Sequence, residues 1–199
     1  MVAAMQTAVM HRREAVECLL ARRADALVVT GLGSSTYDVH AAGDSDANFY
    51  LWGAMGGAAL VGLGLAQAQA QSGRPVVVVT GDGEQLMAMG ALATIAVARP
   101  PNLTLIVLDN QHFGETGMQA SHTGRGIDIA SIAQVCGFAE ARTLWTIAEV
   151  EALDLLTPAT GPRLFVFKVI AEPLPRSFPS RDAVLVKNRL RAHIGSGQD

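Results

Sequence analysis

Four largely apolar runs, Ala26–Thr30, Val76–Thr80, Leu103–Leu108 and Leu164–Ile170, and a strand-like segment, Ala139–Leu144, punctuate the chain. Between and around them lie segments that read as helices, at about Met10–Arg22, Ala54–Gln71, Gln85–Ala98, Asp128–Cys136 and Ile147–Leu156. Val76-Val77-Val78-Val79 and Leu103–Val107 show no polar alternation, as expected of strands buried on both faces. Strands alternating with helices predict an α/β fold, a doubly wound parallel sheet with helices on both faces. Between the first strand and the Ala54 helix, the stretch with Asp38, Asp44 and Asp46 reads as a loop. A second loop is punctuated by Gly114, Gly117, Gly124 and Gly126. From Glu172 onward, Pro173, Pro175 and Pro179 predict an extended linker into an amphipathic helix near Arg181–His193. The expected organisation is one domain over residues 1–171 and a C-terminal extension over 172–199.

Composition changes this picture in three places. Only 5% of the 199 residues are aromatic, while 20 are glycine, which suits tightly packed βα units whose backbone approaches a ligand. From Ala47 to Gly73 no charge occurs, but Gly53, Gly56, Gly57, Gly62 and Gly64, then Gln67, Gln69 and Gln71, leave too short an apolar stretch for the roughly 20 residues of a membrane span. A buried helix packed on small residues is expected there. The net charge of −3 and the lack of a basic stripe argue against a nucleic-acid surface. Cys18 and Cys136 are far apart among apolar neighbours and read as reduced, buried thiols. His11, Arg12 and Arg13 are not followed by an apolar signal segment. Together these features predict a cytoplasmic protein.

The chemistry concentrates at two strand ends. Gly81-Asp82-Gly83-Glu84 follows one apolar run and Asp109-Asn110 the next, with Asn110 28 positions after Asp82. Adjacent parallel strands would deliver a carboxylate and an amide to the carboxyl edge of the sheet, where open α/β sheets bind ligands. Both are hard oxygen donors, suited to a magnesium ion that also holds a phosphate. The glycines let backbone amides approach that phosphate at a helix N-terminus. Taken singly, Asp82 reads equally as a helix cap and Asn110 as a turn residue. No G-x-G-x-x-G follows a strand and opens a helix, which disfavours a dinucleotide-binding protein.

The paired motif resembles the thiamine diphosphate signature, GDG followed by NN or DN. Asn48-Phe-Tyr-Leu-Trp-Gly-Ala-Met-Gly-Gly57 and Asp109-Asn-Gln-His-Phe-Gly-Glu-Thr-Gly-Met-Gln119 resemble segments of the sulfopyruvate and phosphonopyruvate decarboxylases, and the similarity runs over roughly residues 10–193. The resemblance implies the thiamine diphosphate-binding fold, with Mg2+ held by Asp82, Asn110 and the main-chain carbonyl of His112. It implies cofactor contacts from Gly83, Glu84 and Gly114. Gly53 would accept a hydrogen bond from the aminopyrimidine, and Met55 would wedge beneath the cofactor's two rings, as a polarizable side chain suits. An ordinary core methionine is the other reading of Met55. Ser34, Ser35 and Thr36 would offer hydroxyls to the diphosphate or simply cap a turn, and Thr116 would reach the same group. Glu115 reads as solvated. Gln119 and His122 lie in a loop able to close over substrate, where His122 would handle protons or remain an exposed loop histidine. Glu84 adds negative charge near a diphosphate, so its side chain is expected to point away.

In this superfamily the carboxylic acid that activates the pyrimidine comes from a separate domain, for which this chain has no room. The resemblance therefore implies a β-type, diphosphate-binding subunit that acts with a pyrimidine-binding α subunit. The pair would decarboxylate a small 2-oxo acid, sulfopyruvate first and phosphonopyruvate as the nearest alternative. Other outcomes left open are half of an acetolactate synthase or oxoacid oxidoreductase, and a non-catalytic cofactor-binding subunit.

Overall fold

The structure, a computed structural model, describes residues 10–195; the outermost ends of the two expected units, residues 1–9 and 196–199, lie outside the described residues. Six strands form one sheet: β1 (Leu27–Thr30), β2 (Asn48–Tyr50), β3 (Val76–Gly81), β4 (Leu103–Asp109), β7 (Glu140–Leu144) and β8 (Arg163–Lys168). Their order is β2-β1-β3-β4-β8-β7, and every pairing is parallel. Two short strands, β5 (His112–Phe113) and β6 (Gln119–Ala120), form a separate antiparallel hairpin beyond β4.

Because side chains alternate across a strand, the central strands feed two cores. Leu27, Val29, Val76, Val78, Leu103, Leu105 and Val107 face one, covered by α3 (Ala58–Ala68), α5 (Met89–Ala98) and α6 (Ile129–Cys136). Val28, Val77, Val79, Ile106 and Leu108 face the other, covered by α1 (Arg12–Leu20), α2 (Ser34–Ala41) and α7 (Ile147–Glu151). All seven residues of β4 are buried, as its unbroken apolar run requires. Helix α3 approaches β3 so closely that a Cβ on Gly62 would lie 2.2 Å from Val78 Cγ2. The expected helix packed on small residues forms, with burial confined to one face. Leu60, Gly64 and Gln67 are exposed, so only the Ala58–Ala59–Gly62–Leu63–Ala66 stripe is buried.

Other element boundaries also differ from expectation. The Asp38 loop is largely helical: α2 starts after Gly33, whose φ of 74° is a left-handed turn that favours glycine. Buried Asp38 is held there by Arg12 and Arg13, with Arg12 Nε donating to Oδ2 at 2.5 Å. The Gln85–Ala98 helix is two helices, α4 (Asp82–Met87) and α5, broken where Ala88 leaves helical geometry at φ −115° and ψ 36°. Cys18 and Cys136 are free but only half-buried.

The C-terminal segment is packed onto the sheet domain. Trp52 Nε1 donates to Ser180 O at 3.0 Å. Helix α8 (Ala183–His193) places Val186 in one core and Leu190 in the other. Arg189 binds Asp44 through both terminal nitrogens, at 2.7 and 3.0 Å. Among the described residues no helix is long and apolar enough to cross a membrane.

Candidate functional site

The sheet order reverses between β1 and β3: β2 lies outside β1, and the chain then returns to add β3 on the other side. Such a switch point leaves a crevice at the carboxyl ends of the strands. The cleft found there has a volume of about 200 Å³ and is walled by Leu32, Ser34 and Ser35 after β1, Gly81–Glu84 after β3, Asn110 and His112–Thr116 after β4, and Met55. Arg12 and Val169 close its floor. Topology thus gathers the Gly81–Glu84 turn, the Asp109-Asn110 turn, the serines and Met55 although they are dispersed in sequence.

Gly81, in extended conformation, is the residue capping α4, and Asp82 is the helix's first residue. Asp82 is 3% exposed. Its Oδ2 accepts a hydrogen bond from Ser121 Oγ at 2.5 Å and lies 3.2 Å from Thr123 Oγ1. Burial, together with the charge of Asp109, pushes its carboxyl up to about 6. Asp109 is itself held by Thr123 Oγ1 at 2.7 Å and Gln111 N at 2.9 Å, and its other oxygen pairs with Lys168 Nζ. Thr123 Oγ1 thus stands within hydrogen-bond distance of two buried carboxylates, its single proton directed to the nearer one, Asp109, which also has a cation partner.

Asn110 Oδ1 accepts from His112 N at 2.9 Å, a local turn that fixes the amide against the cleft. Beyond it the chain doubles back as the β5–β6 hairpin, whose tip carries Glu115 and Thr116. Thr116 lines the cleft and donates its hydroxyl to Gln119 Oε1 at 3.1 Å. Glu115 is exposed but leans over the β1 turn, where a Cβ on Gly33 would stand 2.4 Å from its Oε1. At Gly83 a Cβ would meet the Phe113 ring at 2.9 Å, so the helix start and the hairpin approach as only glycine allows. Gly53 and Gly56 hold φ values of 83° and 88° and turn the chain so that Met55, 37% exposed, projects into the cleft.

Thr36 takes the turn reading and His122 the exposed-loop reading. Glu84, expected to point away from a diphosphate, is 6% exposed, and its two oxygens accept from Leu32 N at 2.9 Å and Gly56 N at 3.2 Å. Burial raises its carboxyl above the usual range against the lowering effect of those amides. His122 does not line the cleft. Its exposed ring packs edge-on against Phe113, with centroids 5.8 Å apart, and faces a separate apolar groove with Leu86, Met89, Ile127 and Ile132. Thr36 turns back to the strand, bonding Thr30 Oγ1 and Gly31 O, while Ser34 and Ser35 remain on the cleft wall. Sequence reasoning missed Ser121, Thr123 and Lys168. Their one signal is that Ser and Thr follow a hairpin, and which carboxylate they meet depends on tertiary folding.

The residues present fit a diphosphate held through a divalent cation. Asp82 and Asn110 offer oxygen donors on one wall. A Cβ on Gly81 or Gly53 would meet only open space, which leaves room for a bound group beside the backbone. Among the described residues no three His, Cys, Asp or Glu side chains converge. A cation here would therefore take further oxygens from the main chain, the ligand and water, the mixed set that magnesium accepts.

The family model "Thiamine pyrophosphate enzyme, C-terminal TPP binding domain" matches residues 32–159. The chain is 39% identical over 155 residues to phosphonopyruvate decarboxylase of Streptomyces viridochromogenes, which covers 77% of this chain and 38% of that protein. It is 38% identical over 111 residues to sulfopyruvate decarboxylase subunit beta of Methanocaldococcus jannaschii, covering 56% of this chain and 57% of that one. Its match to the corresponding subunit of Methanococcus maripaludis is 30% identical over 173 residues, covering 87% and 90%. The chain thus spans well under two thirds of the first two relatives and nearly all of the third. Among solved structures, a thiamin diphosphate-dependent enzyme described from Mycobacterium smegmatis superposes with a TM-score of 0.68 at 25% identity, over 82% of this chain and 32% of that one.

Proposed function

The chain belongs to the thiamine pyrophosphate enzymes and carries their C-terminal TPP-binding domain, and on that premise we propose that it is the diphosphate-binding subunit of a magnesium-dependent 2-oxo acid decarboxylase. Its substrate is sulfopyruvate, and it works with a separate pyrimidine-binding subunit. The observation that carries this reading is the convergence of Asp82, Asn110, Ser34 and Met55 on one cleft at the sheet's switch point. The near end-to-end match to a β subunit supports the division into two chains.

When bound, the cofactor supplies an electron sink for the pair released as carbon dioxide leaves a 2-oxo acid. The chain's own residues position it. Asp82 and Asn110, with the His112 carbonyl, would hold the cation. The amides at the start of α4 and the Ser34 hydroxyl would meet the diphosphate. Gly53 would offer its carbonyl to the aminopyrimidine, and Met55, which lines the cleft, would pack against the cofactor's rings. Ser121 donates to Asp82 Oδ2, which favours a single orientation of the carboxylate. Phosphonopyruvate is the second reading, favoured by the 39% identity to its decarboxylase.

Isolation of the native complex, identification of the co-purifying chain and assay of carbon dioxide release from both 2-oxo acids tests the proposal. Release from sulfopyruvate by the pair is the expected outcome. Binding of no thiamine diphosphate by the pair would overturn it.

A further inference from the structure

Glu84 is a buried acid in a cleft suited to a polyanion, a placement that electrostatics alone disfavours. Its carboxylate is not available to solvent or to a cation as a free group. Oε2 accepts the amide of Leu32 at 2.9 Å and Oε1 the amide of Gly56 at 3.2 Å. Leu32 lies in the turn after β1, and Gly56 lies in the glycine turn that presents Met55. Residue 31 is shaped around this carboxylate, because a Cβ there would stand 1.8 Å from Glu84 Oε2. Gly31 has no left-handed φ, so its lack of a side chain serves space and not backbone conformation.

We infer that Glu84 is a positioning residue whose carboxylate straps the Gly31–Ser34 turn to the Gly53–Gly57 turn and so sets the separation of two walls of the cofactor cleft. A carboxylate is required because both partners are N–H donors. Glutamine would offer one acceptor and turn an NH2 group against the other amide, leaving a buried donor unsatisfied. The consequence for cofactor binding rests on the function proposed above; the strap itself does not.

The test uses the full chain as wild type, E84Q, G31A and the double variant, with hydrogen exchange followed at the amides of Leu32 and Gly56. Exchange at both amides should quicken by about tenfold or more in each single variant, with Leu105 and Val107 in β4 unchanged. The double variant should be no faster than either single one, since G31A acts by displacing the same carboxylate. Calorimetry with thiamine diphosphate and Mg2+ on the same proteins should show affinity lowered by about tenfold in the variants. Unchanged exchange at Leu32 and Gly56, or equal acceleration in β4, overturns the strap, as does undiminished affinity in variants that bind. A wild-type chain that binds no thiamine diphosphate in its complex counts against the proposed function, and the exchange data still decide the strap. Should E84Q fail to fold, G31A alone gives the same reading.

Discussion

Asp82 carries the heaviest load of any residue in the cleft. Removal from water disfavours its ionised form and Asp109 adds repulsion, while the Ser121 and Thr123 hydroxyls and the Gly83 amide offset them only in part. A bound cation would reverse that balance, so Asp82→Ala should abolish magnesium-dependent binding of thiamine diphosphate by the assembled enzyme. Calorimetry reads this directly, and unchanged affinity would remove the Gly81–Gly83 motif from the site. Thr123→Val is the subtler change, because valine keeps the shape and deletes the hydroxyl between the carboxylates. Losing a hydrogen bond to a charged group should lower stability by about 1.5–3 kcal/mol, read as a shifted denaturation midpoint, and should weaken cofactor binding in parallel. Met55, by contrast, touches no polar partner that matters to the fold. Leucine there should keep much of the turnover, and glycine should lose turnover more than cofactor affinity. Small, equal effects would make Met55 an ordinary apolar side chain.

Elements answer to spacing and to charge. Helix α3 can lie on β3 only because residue 62 lacks a side chain, so Gly62→Ala should push against Val78 and destabilise the chain by about 1–3 kcal/mol, measured by thermal or denaturant unfolding. Helix α8 is held to the loop before β2 through Asp44. Burial draws that carboxyl upward, but hydrogen bonds from Arg189, Tyr50 and Ser45 outweigh it and leave the group below the usual carboxylate range. A group depressed in the folded state contributes stability above its unfolded value and loses it as pH falls through the folded one. Protease sensitivity of the α8 segment should therefore be low at neutral pH and rise below about pH 4, and Asp44→Asn should raise it at neutral pH and flatten the acid dependence. The long strands and their parallel order were legible because both-face burial leaves unbroken apolar runs. Helix α2 was not, since Asp38 is buried only by virtue of two arginines from α1. The break at Ala88 carries no proline, and Gly90 just beyond it lies inside α5. In the cleft, the Asp82 and Asn110 turns could be read from strand ends and glycines. The inward turn of Glu84 could not, because its partners are backbone amides 28 and 52 residues away.

At the scale of the whole molecule, the site is a small open cleft. Its volume of about 200 Å³ falls below the roughly 300–1,000 Å³ of complete ligand pockets. Its rim carries exposed apolar side chains, with Met55 37%, Met87 64% and Met118 46% accessible, and Ile127 and His122 border the neighbouring groove. Apolar exposure beside a half-formed pocket is what an interface leaves when its partner is removed. Of the acids at or beside the cleft, Asp109 pairs with Lys168, Glu84 is tied to two amides, and Glu115 stands exposed at the hairpin tip over the Gly33 turn. Asp82 is reserved for the cation in the proposed function. In the proposed function the carboxylic acid that activates the pyrimidine arrives on another chain. The chain alone, given excess magnesium and thiamine diphosphate, should release no carbon dioxide from sulfopyruvate or phosphonopyruvate, and activity should appear when the pyrimidine-binding subunit is added. Mixing should also lower the solvent exposure of Met87 and Met118, which oxidative footprinting reads separately from turnover. Full turnover by the lone chain would show that the missing acid lies within it or in a second copy, and would end the two-chain reading.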